Sequence, residues 1–267
     1  MPIDATLGEL LAAVPGGGFS LERIERSDFN DELLRPLHAF AALLMAEPYE
    51  HFVTHANTND ELHVFRRIET GAVEGFQFWR CLPGATERAR LVLGGKLRVR
   101  PSARHFGLHL CSGLAVLLDE QRRFPTARIT RLGIASLFGF VSVVRRLARY
   151  EFVDVSSRAD LIPFVDAVTR VSRYEFDPAT GQVEVGIFMT AEQLEAYPAS
   201  YFESAPARAY SERNRDFRWN GRYLAFAFDV DRGNVDALAQ GAAESALGAG
   251  AEAKAFGKKL SDAWLKP

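Results

Sequence analysis

The segment Leu97–His109 limits what this chain can fold into more than any other. An apolar, basic stretch runs into Pro101, passes Arg104 and Gly107, and emerges in an apolar helical pattern. Upstream, Arg90 to Val99 reads as a strand. Downstream, Leu108, Cys111, Leu114, Ala115, Leu117 and Leu118 recur at helical spacing, which predicts a helix from near Arg104 to about residue 120. A helix that opens straight after a strand aims unpaired N–H groups and the positive end of its dipole at whatever lies before the turn. That arrangement suits a phosphate or pyrophosphate, and Gly107 would let the backbone come close to it. Arg88, Arg90, Lys96, Arg98, Arg100 and Arg104 crowd the same region.

The flanking segments give the topology. Leu62–Ile68, Gly75–Leu82 and Arg90–Val99 are strand-like and joined by short turns, which predicts an antiparallel meander. The helix that follows and a strand over Ala127–Ala135 make a βαβ unit, with the strands before and after the helix parallel. Before the meander, Phe19–Ile24 reads as a strand and Asp28–Ala46 as a helix with cap chemistry from Ser27-Asp28, with a kink or the start of a second helix at Pro36. Glu47–Asp60 reads as a polar loop. After it, Phe140–Tyr150 reads as a second amphipathic helix, Glu151–Val155 as extended, and Tyr223–Val230 as a late strand. The fold class expected is α/β (α+β), a mixed, mainly antiparallel central sheet with flanking helices. The expected divisions are an N-terminal segment (1–18), a core (19–155), strands and helices extending it (156–235), and a peripheral Ala/Gly-rich tail (236–267).

Composition removes several functional classes. The chain has 267 residues, 48% hydrophobic and 25% charged, with a formal net charge of −2. Such a balance gives no reason to expect nucleic acid or an anionic membrane as partner. No apolar run reaches membrane-spanning length, and the first eighteen residues lack a secretory pattern, so the sequence reads as cytoplasmic. Cys81 and Cys111 are the only cysteines and read as reduced, buried thiols.

Strand, Pro101, then Arg104-x-x-Gly107-Leu108 opening an apolar helix resembles the cofactor turn of the GNAT superfamily of N-acyltransferases, whose motif is commonly Arg/Gln-x-x-Gly-x-Gly/Ala. His109 stands where that motif has its last small residue. The order of elements over residues 19–155 resembles the GNAT fold independently of the motif. The resemblance implies an acyltransferase that uses acetyl-CoA or another acyl-CoA and a small-molecule or peptide amine acceptor. It further implies that Arg98 and Val99 set the thioester carbonyl through backbone hydrogen bonds. The turn Arg104, His105, Phe106, Gly107, Leu108 and His109 would hold the pyrophosphate. Tyr150 would protonate the leaving thiolate, although the family's Tyr-x-x-x-Gly-Phe pattern is not completed here. Base candidates are Glu69, Glu74, His63 and Glu61, with Glu69 taken as the catalytic one. Tyr49, His51, His55 and Asn57 would border the acceptor.

Other chemistries have less sequence support. His51/His55 and His105/His109 are spaced by four, yet no metal motif accompanies them, so no metal is expected. No Gly-x-Ser-x-Gly elbow occurs. The alternative to an enzyme is a GNAT-like protein that binds a ligand without turnover or puts the cleft to another use. The C-terminal region would close the acceptor groove or provide a homodimer interface.

Overall fold

The computed structural model describes residues 3–44, 47–188, 194–195 and 197–264. The chain divides into two compact units, residues 1–131 with 229–267, and residues 132–228.

The first unit contains α1 (Ile3–Ala12), β1 (Phe19–Glu25), α2 (Asp31–Ala42), α3 (Tyr49–Ala56), β2 (Glu61–Arg67), β3 (Val73–Pro83), β4 (Ala89–Val99), α4 (Leu108–Arg123) and the start of β5 (Arg128–Ala135). Its strands lie in the order β1-β2-β3-β4-β5; β2, β3 and β4 pair antiparallel as the meander predicts, and β1 pairs antiparallel with β2. β4 and β5 are parallel. Arg128 N donates to Arg88 O at 2.8 Å and Arg131 Nη1 to Val92 O at 3.4 Å, so both strands advance together, as a βαβ crossover requires. The sheet is thus mixed and mostly antiparallel, with helices on its faces.

Alternation along β2 and β3 sorts the core. Leu62, Val64, Phe76 and Phe78 face α2 and α3, where they meet Leu34, Leu37, Phe40 and Phe52. The aromatic members pack edge-on or tilted, Phe52 with Phe76 and Phe78 at 6.0 Å each. The intervening residues His63, Phe65, Gln77 and Trp79 are buried too, so β2 and β3 carry buried residues on both faces.

Several local expectations are corrected. Asn30 caps α2, its side chain accepting from Leu33 N at 2.9 Å, while Ser27 and Asp28 lie in a preceding 3-10 turn. α2 runs through Pro36 and its described part ends at Ala42. The polar loop at 47–60 holds α3, whose Phe52 and Ala56 are buried. The helix after β4 starts at Leu108, because Pro101–Phe106 is a 3-10 segment and Gly107 takes a left-handed φ of 69°.

The C-terminal segment differs most. α9 (Arg232–Leu247) buries Val235, Leu238, Ala239, Ala242, Ala243 and Ala246, and packs on α4 and on the 3-10 turn. α10 (Ala251–Trp264) packs on α9 and α1. The Ala/Gly composition that reads as a tail is that of helices packed closely against neighbours, and α9 belongs to the core.

The second unit contains the rest of β5, α5 (Leu137–Val144), β6 (Glu151–Phe152), α6 (Ile162–Val171), β7 (Glu175–Asp177), β8 (Gln182–Glu184), α7 (Ala199–Phe202), α8 (Ala205–Arg213) and β9 (Arg222–Asp229), whose last residue belongs to the first unit. Its strands lie in the order β5-β9-β8-β7, with β6 also paired to β9. Phe140, Phe152, Tyr210 and Phe226 form its aromatic core, with Phe140 5.1–5.4 Å from the other three ring centroids. α5 stops at Val144, six residues before Tyr150, and the extended segment after it is only the two residues of β6.

Candidate functional site

β4 loses its register with β3 at the residues the sequence singles out. Phe76 pairs with Arg98 and Phe78 with Gly95, so Lys96 and Leu97 face only Gln77, the arrangement of a β-bulge. Lys96 sits there with φ 43°, a left-handed conformation that costs a side-chain-bearing residue about 1–2 kcal/mol. Such strain collects at sites where a side chain must be aimed. Gly95 precedes it for a steric reason, since a Cβ at that position would lie 2.9 Å from His55 Cε1.

The bulge sends the Lys96 side chain into the first unit, where it is only 5% exposed. Its ammonium pairs with Glu47 Oε1 and lies 5.3 Å from the centre of the Phe52 ring. His51 Nδ1 is 2.5 Å from the same Glu47 oxygen, and Arg98 Nη2 is 3.8 Å from Glu47 Oε2. α3 puts His51 and His55 one turn apart on a single face, so the spacing of four is realised on a helix. Among the described residues, Glu47 Oε2 and His55 Nδ1 are buried without a hydrogen-bond partner, an arrangement that native structures rarely leave unexplained.

The charges respond to this burial. Burial drives the Lys96 ammonium down to about 8, against the opposing pull of Glu47. Burial alone would raise the Glu47 carboxyl, but Lys96, His51 and Arg98 hold it below its ordinary value. Burial and the nearby Lys96 charge bring His55 down to about 3, so its ring is neutral at neutral pH.

The turn after β4 is built differently from the sequence expectation. Val99 is buried at the strand end, opposite Gly75, and its carbonyl accepts from Arg104 Nε at 3.2 Å. Arg104 and His105 are exposed, His105 lies 3.9 Å from the Phe106 ring, and Phe106 packs on Phe19 at 5.4 Å. Gly107 and Leu108 are buried and His109 is half-buried in the first turn of α4. The close approach that Gly107 permits is taken by this chain's own α9: a Cβ there would lie 2.7 Å from Ser245 Cβ and 3.6 Å from Ala242 O.

The remaining candidates fall elsewhere. Glu69 lies in the exposed turn after β2, with its carboxylate against the Gly17 backbone, and no hydrogen bond or ion pair among the described residues joins it to Arg98 or Arg104. Tyr150 belongs to the second unit, in the loop after α5, where it packs edge-on against Phe140 and Phe152. Burial raises its phenol, so it is protonated at neutral pH. Glu74 lies 4.0 Å from Arg100.

His63 and Glu61 belong to a separate, buried network. His63 Nδ1 is 2.8 Å from Ser112 Oγ, which also accepts from Trp79 Nε1 at 2.7 Å, and His63 Nε2 is 2.5 Å from Glu61 Oε1. Burial acts to raise Glu61, but the bonds from His63 and Arg23 outweigh it and hold the carboxyl at about 2. Ser112 and His63 have no exposed surface, whereas the Glu61 side chain is 19% exposed.

Burial raises the Cys81 and Cys111 thiols to about 12, and both are free. Among the described residues no group of three or more His, Cys, Asp and Glu is placed to hold a metal ion, and no helix is long and apolar enough to cross a membrane. No family model and no curated protein matches the sequence.

Proposed function

We propose that the chain is an acyltransferase resembling the GNAT N-acyltransferases, moving an acyl group, acetyl by default, from acyl-CoA to an amine of a small molecule or peptide. The observation that carries this reading is the bulge in β4. A strand whose pairing with β3 is interrupted at Lys96-Leu97, just before the Arg104–Gly107 turn, offers a break in the ladder at which a thioester could meet the backbone. Arg98 and Val99 would fix the carbonyl, Arg104 and the first turn of α4 would meet the pyrophosphate, and the acceptor amine would approach past α3. Its proton would pass to Glu47 or His51, which share one buried contact, in place of the solvated Glu69.

A second reading, ligand binding without turnover, is favoured by the closed face of Gly107. α9 meets this turn near its own C-terminal end, so its negative pole offsets the positive pole of α4 that an anion would otherwise use.

The two readings separate in a titration of the thermal midpoint with acetyl-CoA, with desulfo-CoA and ATP as controls, paired with an assay for released thiol. A ligand at about 100 times its Kd stabilises the fold by about 2.7 kcal/mol. A coenzyme-specific rise that Arg104→Ala removes, together with thiol release, supports the enzyme. The same rise without thiol release in a screen of amines supports binding alone. No rise at high concentrations rules out the acyltransferase and leaves the fold with a different ligand.

A further inference from the structure

The chain holds five lysines, and four of them, Lys254, Lys258, Lys259 and Lys266, lie in the last fourteen residues. Lys96 is therefore the only lysine in residues 1–253, a stretch whose other cationic side chains are arginines apart from histidine. That one lysine occupies a left-handed bulge position and is buried against Glu47 and Phe52. If the position needed only a cation, arginine would serve, and it would supply more hydrogen bonds to Glu47. What lysine offers and arginine does not is an amine that can lose its proton and attack an electrophile.

We propose that Lys96 is a self-acylation site, its Nζ accepting the acyl group of a bound thioester in the place of an external amine. This rests on the acyltransferase reading, which sets the thioester carbonyl two to three residues further along the same strand. The free amine of Lys96 attacks the carbonyl carbon, the C–S bond breaks, and the electron pair leaves on sulfur. The proton released from nitrogen passes through Glu47 or His51 to the thiolate or to solvent. The products are an Nε-acyl-lysine amide and the free thiol, with no further reactant required. An amine that deprotonates near pH 8 is free roughly two orders of magnitude more often at pH 7 than an ordinary lysine. Acylation also removes the charge that faces Glu47, so one reaction changes the charge balance of the whole cluster.

The test is site-resolved mass spectrometry of the full-length protein after incubation with acetyl-CoA, beside a calorimetric titration of the same coenzyme. A parallel incubation uses S-acetyl-N-acetylcysteamine, a thioester that lacks the pyrophosphate. The expected result is one acetyl group on Lys96, acquired about tenfold or more faster than on the four C-terminal lysines, because free amine is the reacting form. Lys96→Arg should then remain unmodified at this position. Coenzyme binding with Lys96 unmodified, or modified no faster than the C-terminal lysines, overturns the proposal and leaves the acyltransferase reading intact. Absence of coenzyme binding, with selective acylation by the truncated thioester, removes the acyltransferase reading and keeps the reactive lysine. Absence of both removes both.

Discussion

Ser112→Ala is the sharpest test of how the first unit is held together. The Ser112 hydroxyl lies 2.8 Å from His63 Nδ1 and accepts the Trp79 indole N–H at 2.7 Å. Removing one oxygen leaves two buried polar groups, His63 Nδ1 and the Trp79 N–H, without this partner, and with no solvent to replace it. Each such group costs about 1–3 kcal/mol, which puts the loss at about 2–6 kcal/mol, a large share of an ordinary domain's total stability. Urea unfolding followed by far-UV circular dichroism measures it. Trp79→Phe in the same background separates the hydrogen bond from packing, because the Ser112→Ala penalty should shrink by about 1 kcal/mol or more once the indole N–H is gone. A loss below about 1 kcal/mol in the single variant, or full additivity in the pair, would refute the claim that this hydroxyl is the sole partner of both groups.

Two further outcomes follow from other residues. Lys96 deprotonates near 8 when folded and near 10.5 when unfolded, so the unfolded chain binds more protons in between and stability should rise with pH from about 8 to 10.5. Comparing urea midpoints of the native protein and Lys96→Met across that range checks this; an identical slope in the two would show that another group carries it. Gly107→Ala should destabilise more than Gly248→Ala. Both glycines have positive φ, but only Gly107 faces a neighbour, Ser245 at 2.7 Å from the added carbon, whereas Gly248 meets nothing within 4 Å. The excess in thermal unfolding reads the packing of α9 on the turn, and equal losses would place α9 off it.

The coarse fold was legible because its signals are local. The β2–β4 meander has alternating residues and short turns, and the strand–helix–strand order forces a parallel pair, so the structure departs from the reading by only a residue or two at most strand ends. Helix boundaries were less legible. Asn30 won the cap of α2 over Ser27 because the chain spends Arg26–Asp28 in a 3-10 turn, a choice that a cap preference alone does not settle. α3 was hidden because its polar, His-rich sequence fully buries only Phe52 and Ala56, with Tyr49 and Val53 packed partly against the core, too few positions for a visible stripe. α9 was hidden for the opposite reason: its alanines give a weak hydrophobic signal, and their value lies in letting helices approach closely, which is a tertiary property.

At the site, legibility followed whether a residue's role depends on its sequence neighbours. Arg104 and Gly107 stood out through their spacing, yet the motif could not reveal that Ser245, more than a hundred positions away, would occupy the space the glycine leaves. Glu47 had no signal at all, since it becomes informative only once the bulge folds Lys96 onto it. Lys96 did carry one: a lone lysine in an arginine-rich stretch, directly after two glycines, at a left-handed backbone position where the proposed self-acylation would need an amine that can lose a proton. A motif reports where a ligand could be held, whereas the choice of lysine over arginine reports what the position must be able to do. When the two disagree about where chemistry lies, the second is the stronger guide, because packing can fill a glycine's space but cannot give arginine a free amine.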